Sequence, residues 1–235
     1  MSTRIPHLTD HKEAGLRLAT RLQRFLDHVR SLVLALLRGG VEVGFMISTQ
    51  LQLPLDVFLT RKLGYPGHSE YAMGAITETG YTWLNPDVFE MERQPEDVGF
   101  QDFLDKEIYR QQGEIQRQAM VYREGAKLRL LDGYTVILVD DGIATGSTCL
   151  ASIHSLRRLG INRLIAAIPL GTAQTNKYIR TLVNHLDVLH IPEPFVAVGA
   201  HYHYFPQLED QQVVQLLRTA HEHIPDHTTG SFITG

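Results

Sequence analysis

The chain has a single cysteine, Cys149, in 235 residues, so no intrachain disulfide is available and the composition fits a reducing compartment. It has no strong excess of charge: the formal net charge is -4 and the pI is about 6.3, which is not the basic footprint of a nucleic-acid binder. No apolar run reaches the length of a membrane span, and the longest, Leu32–Leu37, is strand-sized. The opening MSTRIPHLTDHKEAG lacks the apolar centre of a secretory signal. Together these absences predict a soluble cytoplasmic protein that acts on neither nucleic acid nor membrane. Among 12 histidines there is no HExxH, and no paired CxxC accompanies them. The nucleotide signatures GxxxxGK[ST] and GxGxxG are also missing. What remains is an ordinary globular balance, 43% hydrophobic and 20% charged. The length is enough to bury a substantial core in one domain spanning 1–235.

Hydrophobic periodicity divides the chain into alternating elements. Asp10 with Glu13 resembles a capping box, and Leu18, Leu22, Phe25, Leu26 and Val29 follow at helical spacing, predicting a helix over about 11–28. Ser31–Leu37 is a continuous apolar run ending at Arg38-Gly39-Gly40, as expected of a strand covered on both faces. A helix over 41–52 and a strand over Leu55–Thr60 follow, the strand ending at Arg61-Lys62. Leu63–Tyr71 holds two glycines and a proline and reads as a mobile loop. Short strands at Ala72–Thr77 and Tyr81–Asn85 flank a turn at Gly80. An exposed helix is predicted over 101–123, a buried strand at Tyr134–Val139 and a helix over Thr145–Leu159 closed by Gly160. Arg163–Leu170 is a strand, Ala173–Val183 a helix and Leu186–His190 the last strand. An amphipathic helix is predicted over about 208–222. This alternation implies an α/β fold with a central, mainly parallel sheet flanked by helices. Ligands then bind beyond the carboxyl ends of the strands.

The segment VILVDDGIATGST, residues 136–148, carries the clearest chemistry. Gly142 and Gly146 allow tight turns and close approach of backbone N–H groups. Thr145, Ser147 and Thr148 add hydroxyls, and the helix starting there directs its unsatisfied N–H groups at the loop. This is a place for a phosphate dianion. Asp140 and Asp141 would repel that phosphate if they touched it. They suit acceptance of hydrogen bonds from neighbouring hydroxyls, as on a ribose, or help in holding hydrated Mg2+. The bland alternative is a DDG turn followed by an ordinary helix cap.

This segment resembles the signature of type I phosphoribosyltransferases, and the resemblance extends over about 31–205. It implies that fold, with a small hood, and Mg2+-dependent transfer of ribose 5-phosphate from phosphoribosyl pyrophosphate to a nitrogen acceptor. By the resemblance, Asp140 and Asp141 bind the ribose hydroxyls and Ala144, Thr145, Gly146, Ser147 and Thr148 bind the 5-phosphate. Arg38, Gly39 and Gly40 match the family's pyrophosphate loop, which often carries a cis peptide, here Leu37–Arg38. Arg61 and Lys62 match a basic pair that contacts pyrophosphate. Arg38 and Lys62 would neutralise the leaving group, and Leu63–Tyr71 would close over the reaction. The runs TRKLGYPGHSEYAMGAI and PEPFVAVGAHYHYF look most like stand-alone members of undefined acceptor. Ala144 stands where enzymes for 6-oxopurines carry an acid; adenine and uracil enzymes have a small residue there. Related enzymes are often homodimers. A second class, a non-catalytic sensor of phosphoribosyl pyrophosphate or a nucleotide, shares this fold.

Weaker candidates complete the reading. Tyr65 and His68 lie in the lid segment. Phe195, after Pro192-Glu193-Pro194, can either stack on a planar base or belong to the core. His201, Tyr202, His203 and Tyr204 either line the hood or alternate across a two-faced strand. His221 and His223 do not share a helical face, and Cys149 reads as packing.

Overall fold

Residues 8–25, 30–66, 68–86, 88 and 98–224 are described by the computed structural model. In chain order the elements are α1 (His11–Leu22), β1 (Ser31–Ala35), α2 (Gly39–Leu51), β2 (Leu55–Val57), β3 (Thr60–Tyr65), β4 (His68–Thr77), β5 (Thr82–Leu84), α3 (Val98–Arg123), β6 (Thr135–Val139), α4 (Ser147–Leu156), β7 (Arg163–Leu170), α5 (Ala173–Leu182), β8 (His185–His190) and α6 (Asp210–His223). Every apolar run expected to be a covered strand enters one five-stranded parallel sheet, ordered β2-β1-β6-β7-β8. β1 and β6 are buried along their whole length.

Side chains alternate across this sheet as its pleat requires. Val33, Ala35, Ile137 and Val139 join a core with α1, α2 and α6. Leu32, Leu34, Val136 and Leu138 join a second core with Cys149, Leu150 and Ile153 of α4 and Ile179 of α5. Asp10 caps α1 by accepting from the Glu13 amide at 2.8 Å, while the Glu13 carboxylate reaches the Thr9 amide at 2.6 Å. The paired residues Ser31–Thr135 through Ala35–Val139 bring β1 and β6 to their ends at the same level. From there the chain departs to β2 on one side and to β7 on the other. The gap between the ends of β1 and β6 is therefore the topological switch point, where open α/β sheets bind ligands.

Five sequence expectations need correction. The first helix stops at Leu22 and continues only as a 3-10 turn, Gln23–Phe25; 26–29 lie outside the described residues. The strand expected over Leu55–Thr60 ends at Val57. The chain turns there because Phe58 N–H bonds the Ala35 carbonyl while Leu59 pairs with Glu78 through both its N–H and its carbonyl. Thr60 then starts a separate antiparallel sheet, β3-β4-β5. Arg61 and Lys62 accordingly sit inside a strand and not after one. Leu63–Tyr71 is a hairpin rather than an irregular loop: β3 pairs with β4 as far as Tyr65–His68, and a bulge falls at Gly64. Gly67 lies outside the described residues.

Leu37–Arg38 is cis, as is Glu193–Pro194. His201–Tyr204 is not a two-faced strand. A 3-10 turn over Val198–His201 leads into an extended stretch that bonds Leu8 and Thr9. Among the described residues no helix is long and apolar enough to cross a membrane.

Candidate functional site

Two helix amino ends meet at the switch point. α2 begins after Arg38 and α4 after Gly146, and neither end has a side-chain cap. Their first N–H groups are thus left for a ligand or water. Gly146 has φ +78°, and a Cβ there would also lie 2.7 Å from Thr175 Cγ2, so glycine is required on both counts. The Thr175 hydroxyl donates to the Ala144 carbonyl at 3.0 Å and Ile143 N–H to the Leu170 carbonyl at 2.8 Å, which fix the loop. Ser147 Oγ is buried at the helix start and has no hydrogen bond.

Between these ends lie Asp140 and Asp141. The Asp141 amide donates to Asp140 Oδ1 at 3.0 Å. Burial, together with the charge of Asp141, pushes the Asp140 carboxyl well up, and Lys62 opposes this. Asp141 Oδ2 faces His11 Nε2 at 3.6 Å, while His11 Nδ1 lies 3.2 Å from Glu42 Oε2. Burial alone would lower the His11 pKa, but hydrogen bonding and charge from Asp141 and Glu42 outweigh it and raise the value to about 9. The Tyr202 hydroxyl donates to the Asp141 carbonyl at 2.6 Å. Gly39 lies so close that a Cβ there would overlap Asp141 Oδ2.

The expected cations divide. Arg38 stands at the start of α2, with Nη1 3.5 Å from Asp210 Oδ1 of α6. Asp210 also meets Arg117 at 3.3 Å and accepts from the Tyr122 hydroxyl at 2.6 Å; the tyrosine bond and the arginines hold it below the usual carboxylate range. Arg61 and Lys62 are neighbours in β3 and face opposite ways. Arg61 donates to Gln111 of α3 at 3.0 Å. Lys62 shares its face with Thr60, whose hydroxyl meets Ser152 of α4 at 2.8 Å, and its charge reaches Asp140.

Arg38, Gly39, Gly40, Lys62 and Asp140–Thr148 thus come to one place, whereas Arg61 turns away. Tyr65 lies beside Phe100, ring centroids 6.4 Å apart, and half-buried Phe195 rests on His201 at 5.3 Å. His11, Glu42 and Asp210 were not singled out as site residues from sequence, and Tyr202 was named only as a candidate for the hood, not as a partner of Asp141. Each reaches the site from a distant stretch of chain, and no local spacing announces it.

The family model described as phosphoribosyl transferase domain matches residues 8–202. The chain belongs to the phosphoribosyl transferase family. Proteins from two strains of Mycobacterium tuberculosis, provisionally named phosphoribosyl transferase, are 38% identical to it over 212 residues, which is 90% of this chain and 46% of theirs. The chain spans about half the length of the curated relatives it matches. The crystal structure of TT1426 from Thermus thermophilus superposes with a TM-score of 0.73 at 32% identity, covering 90% of this chain and 97% of that one. In this phosphoribosyl transferase domain Cys149 is buried in α4, and burial pushes its thiol well up, which suits packing and not nucleophilic attack. Nε2 of His221 bonds the Leu55 carbonyl and Nδ1 of His223 the Thr219 carbonyl. Among the described residues no cluster of His, Cys, Asp and Glu is arranged to hold a metal.

Proposed function

We propose that the domain transfers the 5-phosphoribosyl group of phosphoribosyl pyrophosphate to a nucleobase-like nitrogen acceptor and releases pyrophosphate. The observation that carries this reading is the pair of uncapped helix ends flanking Asp140–Asp141 at the switch point. Two anion sites with hydroxyl acceptors between them match a sugar that carries phosphate at one end and pyrophosphate at the other. The α4 end and the Thr145, Ser147 and Thr148 hydroxyls take the 5-phosphate. Asp140 and Asp141 accept from the ribose hydroxyls. The α2 end, Arg38 and Lys62 take the pyrophosphate.

In the reaction the bond from ribose C1 to the pyrophosphate oxygen breaks and a bond to the acceptor nitrogen forms. Charge grows on the leaving oxygens, and fixed donors aimed there lower the barrier. Arg38 meets this charge after exchanging Asp210 for pyrophosphate. Mg2+ at such sites is held by one or two carboxylates plus substrate phosphates, and Asp140 and Asp141 are the carboxylates in reach. A nearby cation also suits half-buried Asp140, whose charge desolvation and Asp141 disfavour. Bound Mg2+ supplies neutralisation of the pyrophosphate charge. Ala144 is exposed and offers no acid or base, so acceptors that need a carboxylate there, the 6-oxopurines by family resemblance, fit worst.

Incubating the chain with phosphoribosyl pyrophosphate, Mg2+ and a panel of bases is expected to release pyrophosphate with one acceptor class. Tight binding of phosphoribosyl pyrophosphate with no pyrophosphate released across the panel would overturn transfer in favour of a sensor. A sharper check uses Gly39→Ala. The atom its methyl group meets is the movable end of Asp141, so the fold should survive while the carboxylate is displaced. Calorimetric titration should show ribose 5-phosphate binding weakened about tenfold or more. Unchanged affinity would separate Asp141 from the sugar.

A further inference from the structure

His11 is 1% exposed at the start of α1 and packs edge-on against the rings of Tyr202 and Phe205, whose centroids lie 5.1 and 4.9 Å away. Packing alone would be served by phenylalanine. What imidazole adds is polar at both nitrogens: Nδ1 meets Glu42, and Nε2 points at Asp141 with no hydrogen bond of its own. With a carboxylate at each nitrogen, the ring joins three segments distant in sequence: the start of α1, the first turn of α2 and the loop after β6.

Asp141 is enclosed on several sides. Oδ2 faces His11, Gly39 leaves no room for a Cβ, Tyr202 holds its carbonyl, and the Asp140 carboxyl lies beside it. The Asp141 side chain still keeps 19% exposure, so it presents an acceptor to the site while the His11 side is closed. Without the ring beside it, the Asp141 carboxylate would be free to turn away from Asp140, and that change spoils it as an acceptor.

We propose that His11 is a positioning residue for the donor sugar: it holds the Asp141 carboxylate in the orientation that receives a ribose hydroxyl, with Glu42 steadying the ring from the other side. The inference rests on the donor assignment above. The His11–Asp141 distance of 3.6 Å exceeds a hydrogen bond, and it shortens when a hydroxyl settles on the carboxylate, as site contacts tighten on binding. His11 touches no substrate atom; it acts through Asp141.

The test compares His11→Phe, which keeps the ring packing, with His11→Gln, which keeps a donor. Binding is measured by calorimetry, without Mg2+, for ribose 5-phosphate, for phosphoribosyl pyrophosphate and for pyrophosphate. In His11→Phe the two ribose-bearing ligands should bind about tenfold or more weakly and pyrophosphate as in the wild type. His11→Gln should recover part of the loss. A purely structural role would not separate ribose-bearing from ribose-free ligands. Equal losses for all three, or none, overturns the inference. If His11→Phe does not fold, the same ligand comparison in His11→Gln decides: a loss confined to the ribose-bearing pair supports the proposal, and a uniform loss or none overturns it. A wild-type chain that binds no ribose-bearing ligand overturns the donor assignment and this inference together, and the wild-type arm distinguishes that failure from the other.

Discussion

Replacing Asp140 and Asp141 together by asparagine is expected to cut pyrophosphate release from phosphoribosyl pyrophosphate at least about 100-fold while the thermal midpoint holds or rises. Hydrogen bonds to ionised acceptors contribute roughly 1.5–3 kcal/mol each, so two lost acceptors account for about 3–6 kcal/mol, or roughly 10²–10⁴ in rate. The effect on stability should have the opposite sign. Burial and the charge of Asp141 already push Asp140 up, which means that the folded chain holds two carboxylates that resist being charged together. Amides remove that repulsion. His11 loses one counter-ion but keeps Glu42, 3.2 Å away, so part of the gain is offset. A pyrophosphate-release assay beside a thermal melt reads both quantities. Undiminished turnover would remove the pair from the reaction, and a falling midpoint with falling turnover would make it a structural feature.

What could be read from the sequence was what is contiguous. The strand–loop–helix over 136–148 declares itself because apolar run, carboxylates, small-residue loop and helix start follow one another. Arg163–Leu170 was legible to the residue, since its apolar run has a polar residue at one end and Gly171 beyond the other. The hairpin of β3 and β4 was not. Gly64 is a turn-former by propensity, yet it is taken into the pairing of β3 with β4 through a bulge. The basic pair Arg61-Lys62 misled for the same reason: once the segment is a strand, its period of two sends the charges to opposite faces. Gly39 was legible as part of an anion loop, but its second duty, making room for Asp141, depends on a segment a hundred residues away in sequence. His11 and Tyr202 belong to that category entirely. They meet at Asp141 because Leu8 pairs with Tyr202 and carries the start of α1 under the loop.

Arg123→Met is expected to lower stability by about 3–5 kcal/mol, the usual cost of stripping a buried ion pair of one partner. At this chain length that is roughly 6–20 °C in thermal midpoint. Arg123 closes α3 with 7% exposure, contacts the Glu78 carboxylate through Nη2, and has Nε 4.0 Å from Asp56 Oδ1. Glu78, 8% exposed, also accepts from Leu59 N–H at the corner where the chain leaves the parallel sheet for β3. Burial pushes both carboxyls up, and Arg123 is the chief opposing influence on each. Methionine fills the space but leaves the two carboxylates facing each other without their chief cation. A raised folded pKa contributes stability that is present below the ordinary carboxylate range and lost as pH rises through the folded value. Removing Arg123 raises both values further, so the deficit should be largest near neutral pH and shrink in mild acid as Asp56 and Glu78 take up protons. Urea unfolding at the two conditions reads the difference. Adding Glu78→Gln to Arg123→Met should restore part of the stability, because the second change removes a charge that the first left uncompensated. A deficit that is the same in acid and at neutrality, with no recovery in the double variant, would assign the loss to packing and not to charge.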